Sequence, residues 1–527
     1  MQELEAKRKD IVNFFLKKGL LINNNMLRML EDEKNLSEFI KIIKGSSQKD
    51  MIVLNEKIKN IINKQTSDLN WTELEKLKVI SEKKGKDYVN QTTQILESKE
   101  GGQENKPDLG VKIVFSYASQ PKKREANDFV QYFNNRYQIL GNFLKQRQEL
   151  QNTTSISRVI HKTDREQISV IGMVVDKQYT KNGNCMLTIE DNTGTIKLLI
   201  NKNKPDLFRI SKDITLDEVI GVVGVNGNNI IFVNNLLNPD IPLSREIKKA
   251  EDEVYVLFLS DLHIGSKNFL EEDFNKFLKW INCELGNKSQ RDIASKVEYI
   301  FLIGDLVDGC GVYPNQEKEL LIKDIKDQYK LCAQLLSKIP PHIKLIVSPG
   351  NHDAMRLAEP QLKIYKDFAE ELYNIPNVIM VSNPSVVNIH SSNTFSGFDV
   401  LVYHGNSFDF YMAEIESIRN KGGYDRVDLL MKFLLQRRHL APSYTSVPYV
   451  PDITSDFLAI DKVPDFFVSG HIHKAAAANY KNVTLISGSC WQSKTAYQEK
   501  VGHNPEPSRV PIVNLQTRQV KMLKFGK

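Results

Sequence analysis

The sequence predicts an α/β layered domain over residues 246–527, preceded by a small β-barrel over 111–245 and a helical module at the N-terminus. Three observations lead there. The second half alternates continuous apolar runs of strand length with helical stretches, the pattern of strands buried on both faces. The middle block holds short strands punctuated by tight-turn signals. The first 64 residues carry apolar side chains at helical spacing.

The chain has 527 residues, enough for two to four domains, and 41% of them are apolar, enough for real cores. In the helical module (1–64), Ile11, Val12, Phe15 and Leu16 share one helical face, and Leu36, Phe39, Ile40 and Ile43 share another. Gly19, Asn23, Asn24, Asn25 and Gly45 interrupt them. Residues 65–110 turn polar. Trp71, Leu74 and Leu77 mark one short helix, and the charged, Gly- and Pro-containing stretch 97–107 reads as a flexible linker. The barrel block opens with an apolar strand at 111–117 and a helix over 126–150. Strands at 168–175, 186–189, 196–200, 219–225 and 230–233 follow, with turns at Asn182-Gly183, Asp191–Gly194 and Asn226-Gly227. Five such strands suggest a barrel of the OB type. Aromatics on them are few, chiefly Tyr179 and Phe232, so a structural or docking role is supported at least as well as strand binding.

Composition excludes several classes. Lysine and arginine exceed aspartate and glutamate by 71 − 65 = +6, which permits a nucleic-acid partner without arguing for one. The five cysteines, Cys185, Cys283, Cys310, Cys332 and Cys490, form no Cys-x-x-Cys pair, which argues against a zinc ribbon and for reduced thiols in an intracellular protein. The N-terminus lacks a signal-peptide core, and no stretch approaches the ~20 apolar residues of a membrane span. The expectation is a cytoplasmic protein with no membrane partner.

Each apolar run of the last domain ends in a polar cluster. The run 254–259 ends in Ser260-Asp261-Leu262-His263, and 297–303 in Gly304-Asp305-Leu306-Val307-Asp308. The run 344–347 leads to Gly350-Asn351-His352-Asp353, 400–403 to His404-Gly405, and 466–468 to Gly470-His471-Ile472-His473. Ligand sites in α/β sheets form beyond the carboxyl ends of the strands, so five strands deliver Asp, Asn and His to one edge. Carboxylate oxygens and imidazoles suit Mn²⁺, Zn²⁺, Fe²⁺ or, less well, Mg²⁺. Asp-x-His and His-x-His place two side chains on one face of an extended segment. Neighbouring glycines let the backbone turn sharply. Taken singly, each motif is common and means little. Together they recur in order after every buried strand, and they hold five of the chain's ten histidines.

This order of motifs resembles the calcineurin-like metallophosphoesterases, and within them the small, exonuclease subunits of archaeal DNA polymerase D. The resemblance runs over 111–527, carried by Ser260–Ser266, Gly304–Pro314, Pro349–Arg356, Arg437–Pro442 and Trp491–Ser493. The chain departs from the family pattern where Leu362 follows Gln361 and Thr445 follows Tyr444. The resemblance implies two divalent metal ions, with Mn²⁺ the family's expected ion. Asp261, His263 and His473 would hold one, and Asn351, His404 and His471 the other, with Asp305 bridging. His352 would stabilise or protonate the leaving alkoxide. Asp308 and Asp353 would orient imidazoles. Arg356, Arg437 and Arg438 would contact the substrate strand.

The insertion 408–460 mixes Arg419, Lys421, Arg426, Lys432, Arg437, Arg438 and His439 with Phe408, Phe410, Tyr411 and Tyr424. It reads either as a solvated helical face or as a surface that guides a strand or meets a partner. The resemblance implies a 3′→5′ exonuclease that proofreads for a two-subunit polymerase, with DNA (single-stranded or a 3′ end), a large catalytic subunit and a sliding clamp as partners. Two alternatives differ in class. One is a non-catalytic scaffold, as in B-subunits that have lost the ligands. The other is a general or repair metallophosphoesterase, which does not usually carry a barrel ahead of the catalytic domain.

Overall fold

The computed structural model describes residues 110–526 apart from Thr163, Ser244 and Val501, together with two short strands, β1 (Leu20–Ile22) and β2 (Ile52–Leu54), paired in parallel. The helical faces expected within 1–64 and the linker expected over 65–110 lie outside the described residues. Among those described, no helix is long and apolar enough to cross a membrane.

The expected barrel forms. Strands β4 (Gln167–Tyr179), β5 (Cys185–Asp191), β6 (Gly194–Ile200), β7 (Val219–Asn226) and β8 (Ile230–Leu237) close in the order β4-β5-β6-β8-β7. Its interior is filled by alternate residues such as Val170, Leu187, Ile189, Leu198, Val222 and Ile231. Helix α1 (Ala126–Lys145) covers one outer face. Its Leu140 and Leu144 pack with Ile171, Met173, Val219 and Val223. On the same i, i+4 stripe, one and two turns earlier, Arg136 and Tyr132 are buried against the insertion instead. One helix therefore bolts the barrel to the last domain. Strand β3 (Val111–Ser116) corrects the expected boundary. Its place in the sequence puts it in the barrel block, yet it pairs antiparallel with a strand of the last domain, because that sheet leaves an edge free to take it.

The last domain is a two-sheet sandwich. One sheet runs β12-β11-β10-β9-β18-β19, the other β16-β17-β15-β14-β13-β3. The first sheet comprises β9 (Tyr255–Leu259), β10 (Val297–Ile303), β11 (Lys344–Ser348), β12 (Val378–Met380), β18 (Arg509–Asn514) and β19 (Val520–Lys524). The second adds β13 (Ser385–Ile389), β14 (Phe398–Val402), β15 (Phe466–Ser469), β16 (Ala476–Tyr480) and β17 (Val483–Ser487) to β3. The alternation in β9 explains its unbroken apolar run. Val256 and Phe258 point between the sheets, while Leu257 and Leu259 point outward under helices α2 (Glu271–Ile281) and α3 (Ile325–Leu336). Phe258 stacks on Phe301 of β10 at 5.4 Å and meets Phe466 of β15 at 6.2 Å, tying the sheets together. Burying each such ring contributes roughly 1.5–3 kcal/mol. Strands β9, β10 and β11 are mutually parallel, and so are β14 and β15, so their carboxyl ends deliver the polar clusters to one edge.

A candidate dinuclear metal centre at the strand ends

The seven expected ligands converge. His263 Nε2 and His473 Nε2 stand 3.1 Å apart, and Asp261 Oδ1 lies 3.3 Å from His473 Nε2. Asn351 Oδ1 lies 3.1 Å from His404 Nε2 and 3.0 Å from His471 Nδ1. Asp305 reaches both groups, its Oδ2 3.2 Å from His404 Nε2 and 4.0 Å from His263 Nε2. Among the described residues three clusters of donor atoms could hold an ion: Asp261, His263 and His473; Asp305, His404 and His471; and His263, Asp308 and His352.

The backbone that achieves this is not the extended segment expected of the x-spaced motifs. Asp261, His263, Asp305, His471 and His473 all have positive φ, from 50° to 69°. A non-glycine residue in that region costs of order 1–2 kcal/mol. Each loop curls at its ligands, and its peptide groups are caught by neighbouring loops. His263 N–H donates to Asp305 O at 3.1 Å, and His471 N–H donates to Asp261 Oδ2 at 2.9 Å. The left-handed turns explain how His471 and His473, two residues apart, serve different groups. The glycines matter by closeness. A side-chain carbon on Gly470 would collide with Ser260 and Asp261, and one on Gly350 with Asp305.

The donor set fits divalent cations. His263 Nδ1 bonds Asp308 Oδ1 at 3.1 Å, His404 Nδ1 bonds the Ile303 carbonyl at 2.8 Å, and His471 Nε2 bonds Asp409 Oδ2 at 2.9 Å. Each acceptor claims the proton of one ring nitrogen and leaves the other nitrogen's lone pair aimed at the shared oxygens of Asp305, Asn351 and Asp261. Lone pairs facing lone pairs in a buried site need a cation or protons between them. The charge balance says the same. Burial opposes ionisation of Asp305, but His404, His352 and His263 overcome it and hold its carboxyl well below the usual range. Burial likewise opposes a charge on His404, yet Asp305 and Asp261 raise its imidazole to about 10. The donors of imidazole, carboxylate and amide oxygen suit borderline or hard ions.

A cavity of about 450 Å³ opens over these residues. His352 lines it outside the two groups that Asp305 reaches, clustered instead with His263 and Asp308. Its backbone N–H donates to Asp305 Oδ1 at 2.8 Å, and its ring Nδ1 donates to the Asp308 carbonyl at 2.7 Å.

Residues 254–475 match the family model described as calcineurin-like phosphoesterase, and 168–227 match that described as OB-fold nucleic acid binding domain. The chain is 39% identical over 402 residues to the DNA polymerase II small subunit of Methanothermobacter thermautotrophicus, covering 76% of this chain and 80% of that one. It is 38% identical to that of Archaeoglobus fulgidus, over 76% of this chain and 77% of the relative. It belongs to the DNA polymerase II small subunit family. Some relatives are longer. The match spans 64% of the Methanocaldococcus jannaschii small subunit, at 38% identity and 74% of this chain.

The structure of this small subunit corrects three sequence-based expectations. Arg437 and Arg438 do not line the cavity; both are buried where the insertion meets the barrel block. Arg437 donates to the Asp213 carbonyl at 3.0 Å and stacks on Phe433 at 3.6 Å, while Arg438 donates to the Ile460 carbonyl at 2.7 Å and lies over Phe143 at 4.1 Å. The planar guanidinium suits such stacked, carbonyl-bound burial. Arg356 also lies outside the cavity lining, donating to the Pro360 carbonyl at 2.6 Å and covering Tyr117. Asp353 orients backbone rather than an imidazole. Its carboxylate accepts from Gly350 N–H at 2.9 Å, Leu306 N–H at 3.3 Å and Tyr329 Oη–H at 2.9 Å, locking the loops of Asn351 and Asp305 to each other. Asp308, by contrast, sits on His263 Nδ1 and is itself held by Gln492 Nε2 at 2.9 Å.

Sequence reasoning missed Asp409 and Gln498. Asp409 fixes His471, and the Gln498 amide lies 2.9 Å from His473 Nδ1. Asp409 sits on helix α4 (Phe408–Glu414), five residues after His404, and that proximity to a ligand motif was the only signal.

Proposed function

We propose that this small subunit is a 3′→5′ exonuclease that hydrolyses DNA phosphodiester bonds with two divalent ions and proofreads for a two-subunit polymerase. The observation that carries the reading is the convergence of Asp261, His263 and His473 on one side and Asn351, His404 and His471 on the other, with Asp305 reaching both. Those residues would hold the ions, with Mn²⁺ the leading candidate and Mg²⁺, Zn²⁺ or Fe²⁺ admitted by the same donors. Two such ions, when bound, neutralise phosphate charge and supply an activated water. The chain's own residues do the rest. Asp308, Asp409 and the Ile303 carbonyl hold three imidazoles in the tautomer that ligation needs. His352, whose Nδ1–H is held by the Asp308 carbonyl, presents Nε2 to the cavity; as the imidazolium, a form that burial opposes and Asp305 favours, it carries a second proton on Nε2 and delivers that proton to the departing 3′ oxygen.

The names of the relatives, small subunits, support a large catalytic subunit as partner, and the barrel supports contact with nucleic acid. A non-catalytic scaffold would have no use for strained ligand loops and three acceptor-fixed imidazoles.

The test incubates the purified chain with a single-stranded oligonucleotide labelled at its 5′ end, with Mn²⁺, with Mg²⁺ and with a chelator. A metal-dependent ladder of shortening labelled products is expected, abolished in Asn351→Ala while binding to the large subunit survives. No cleavage with or without that subunit, in a protein that binds metal, would overturn the reading.

A further inference from the structure

At the rim of the metal cavity two partly exposed aromatic rings meet, one of them also packed against the edge of the insertion's core. Tyr424, in the insertion, and His503, in the loop before β18, have ring centroids 4.1 Å apart and an interplanar angle of 43°. Both line the cavity and both are partly exposed. Each is tied to a different ligand. Tyr424 hydrogen-bonds Asp409, whose carboxylate holds His471 Nε2 at 2.9 Å. The His503 loop is fastened to His473 twice, by the Gln498 amide 2.9 Å from His473 Nδ1 and by Glu506 N–H donating to the His473 carbonyl at 2.9 Å. His503 N–H donates to the Gln498 carbonyl at 2.8 Å. The pair is thus positioned with respect to the ions' ligands, not merely near them.

The charge of the cavity sharpens the question of what these rings do. Among the described residues, no lysine or arginine lines it; its walls carry Asp305, Asp308 and Asp409 beside neutral Thr495, Gln492 and Gln498. A polyanionic strand entering such a cavity meets cations only at the floor, so its grip elsewhere has to come from neutral contacts. Every nucleobase has a π-face, and stacking on an aromatic side chain is indifferent to sequence.

We infer that Tyr424 and His503 form a stacking platform for the terminal nucleobase of an unpaired 3′ end, which selects frayed over paired termini. A terminal base offers its face to the platform only when it is unpaired from its complement and unstacked from its neighbour. This inference rests on the exonuclease reading above and names the recognition element of that same site.

The test compares 5′-labelled single strands ending in a normal nucleotide or in an abasic residue. Stacking of one base contributes roughly 1–3 kcal/mol, so the unmodified enzyme should favour the base-bearing end by about 5- to 150-fold in kcat/KM. The Tyr424→Leu, His503→Leu double variant should bring that ratio close to one, and Tyr424→Phe with His503→Phe should restore it. An unmodified enzyme that cuts neither strand overturns the exonuclease reading and this inference with it. One that cuts both ends equally, or a leucine variant that keeps the full ratio, overturns this inference alone. A binding readout guards against loss of turnover in the leucine variant. A 3′-terminal 2-aminopurine should be quenched on binding to His352→Ala protein with Mg²⁺ and stay bright with the two leucines added. A bright probe on His352→Ala protein alone contradicts the platform.

Discussion

Replacing His352 by alanine should separate the chemistry of the leaving group from everything else the site does. The ring makes its fixed hydrogen bond through Nδ1, 2.7 Å from the Asp308 carbonyl, so the nitrogen facing the cavity is Nε2. It lies edge-on to His263, with ring centroids 4.7 Å apart, and clusters with His263 and Asp308, outside the two ligand groups that Asp305 reaches. Its backbone N–H, which donates to Asp305 Oδ1 at 2.8 Å, survives the substitution, so Asp305 keeps its support. The loss is therefore confined to proton delivery. General acid catalysis of this kind contributes about 10²–10⁴-fold, equivalent to roughly 2.7–5.5 kcal/mol in the barrier. His352→Ala should lower kcat on DNA by that factor while KM changes little. With bis(p-nitrophenyl) phosphate, whose phenolate departs without a proton, the same variant should lose less than about tenfold. Equal large losses on both substrates would refute the assignment and make His352 a support of the metal centre instead.

Three further outcomes follow from named contacts. Asp409→Ala removes the acceptor 2.9 Å from His471 Nε2 and should weaken metal binding about 10–100-fold, read by calorimetric titration with Mn²⁺; unchanged affinity would leave Asp409 no such role. Asp456 accepts from Arg136 Nε at 2.7 Å, Tyr132 Oη–H at 2.7 Å, His439 Nε2 at 2.8 Å and Leu458 N–H at 3.0 Å, all buried. Asp456→Ala strands the Arg136 charge and should destabilise the fold by about 3–5 kcal/mol in urea denaturation, with part recovered in Asp456→Leu, Arg136→Met; a loss below about 1 kcal/mol would contradict the buried pair. Burial, and then the Arg136 charge, push the His439 imidazole down to about 4, and Ala441 N–H donating to its Nδ1 at 3.0 Å fixes the neutral ring. The unfolded ring titrates near ~6.5, so the unfolded chain binds more protons between those values, and stability should rise with pH across that window. His439→Gln should flatten this slope in denaturation series at stepped pH, and an unaltered slope would count against it.

The sequence made the ligands legible because they are local: each follows a buried strand within a few residues, and Asp305, Asn351, His404 and His471 adjoin a glycine. Strand β10 falls where its apolar run placed it, and β9, β11, β14 and β15 differ by a residue or two at their ends, while β4 and β8 of the barrel run four residues further than their apolar runs. What stayed hidden was decided at long range. Arg437 and Arg438 look like a basic surface in sequence, but their partners are the Asp213 and Ile460 carbonyls and the Phe433 and Phe143 rings, which no local pattern announces. Arg136 and Asp456 lie 320 residues apart. The left-handed conformation of Asp261, His263, His471 and His473 was equally invisible, since none of these residue types requires it. Strand β3 is legible as a strand, but its sheet is not, because edge pairing depends on which neighbour is free.

The claim of a dinuclear centre is tested most directly by anomalous diffraction from crystals of the chain grown with Mn²⁺. Two peaks about 3.5–4 Å apart are predicted, one against Asp261, His263 and His473 and the other against Asn351, His404 and His471, with Asp305 between them. A single peak, or peaks away from Asp305, would contradict it.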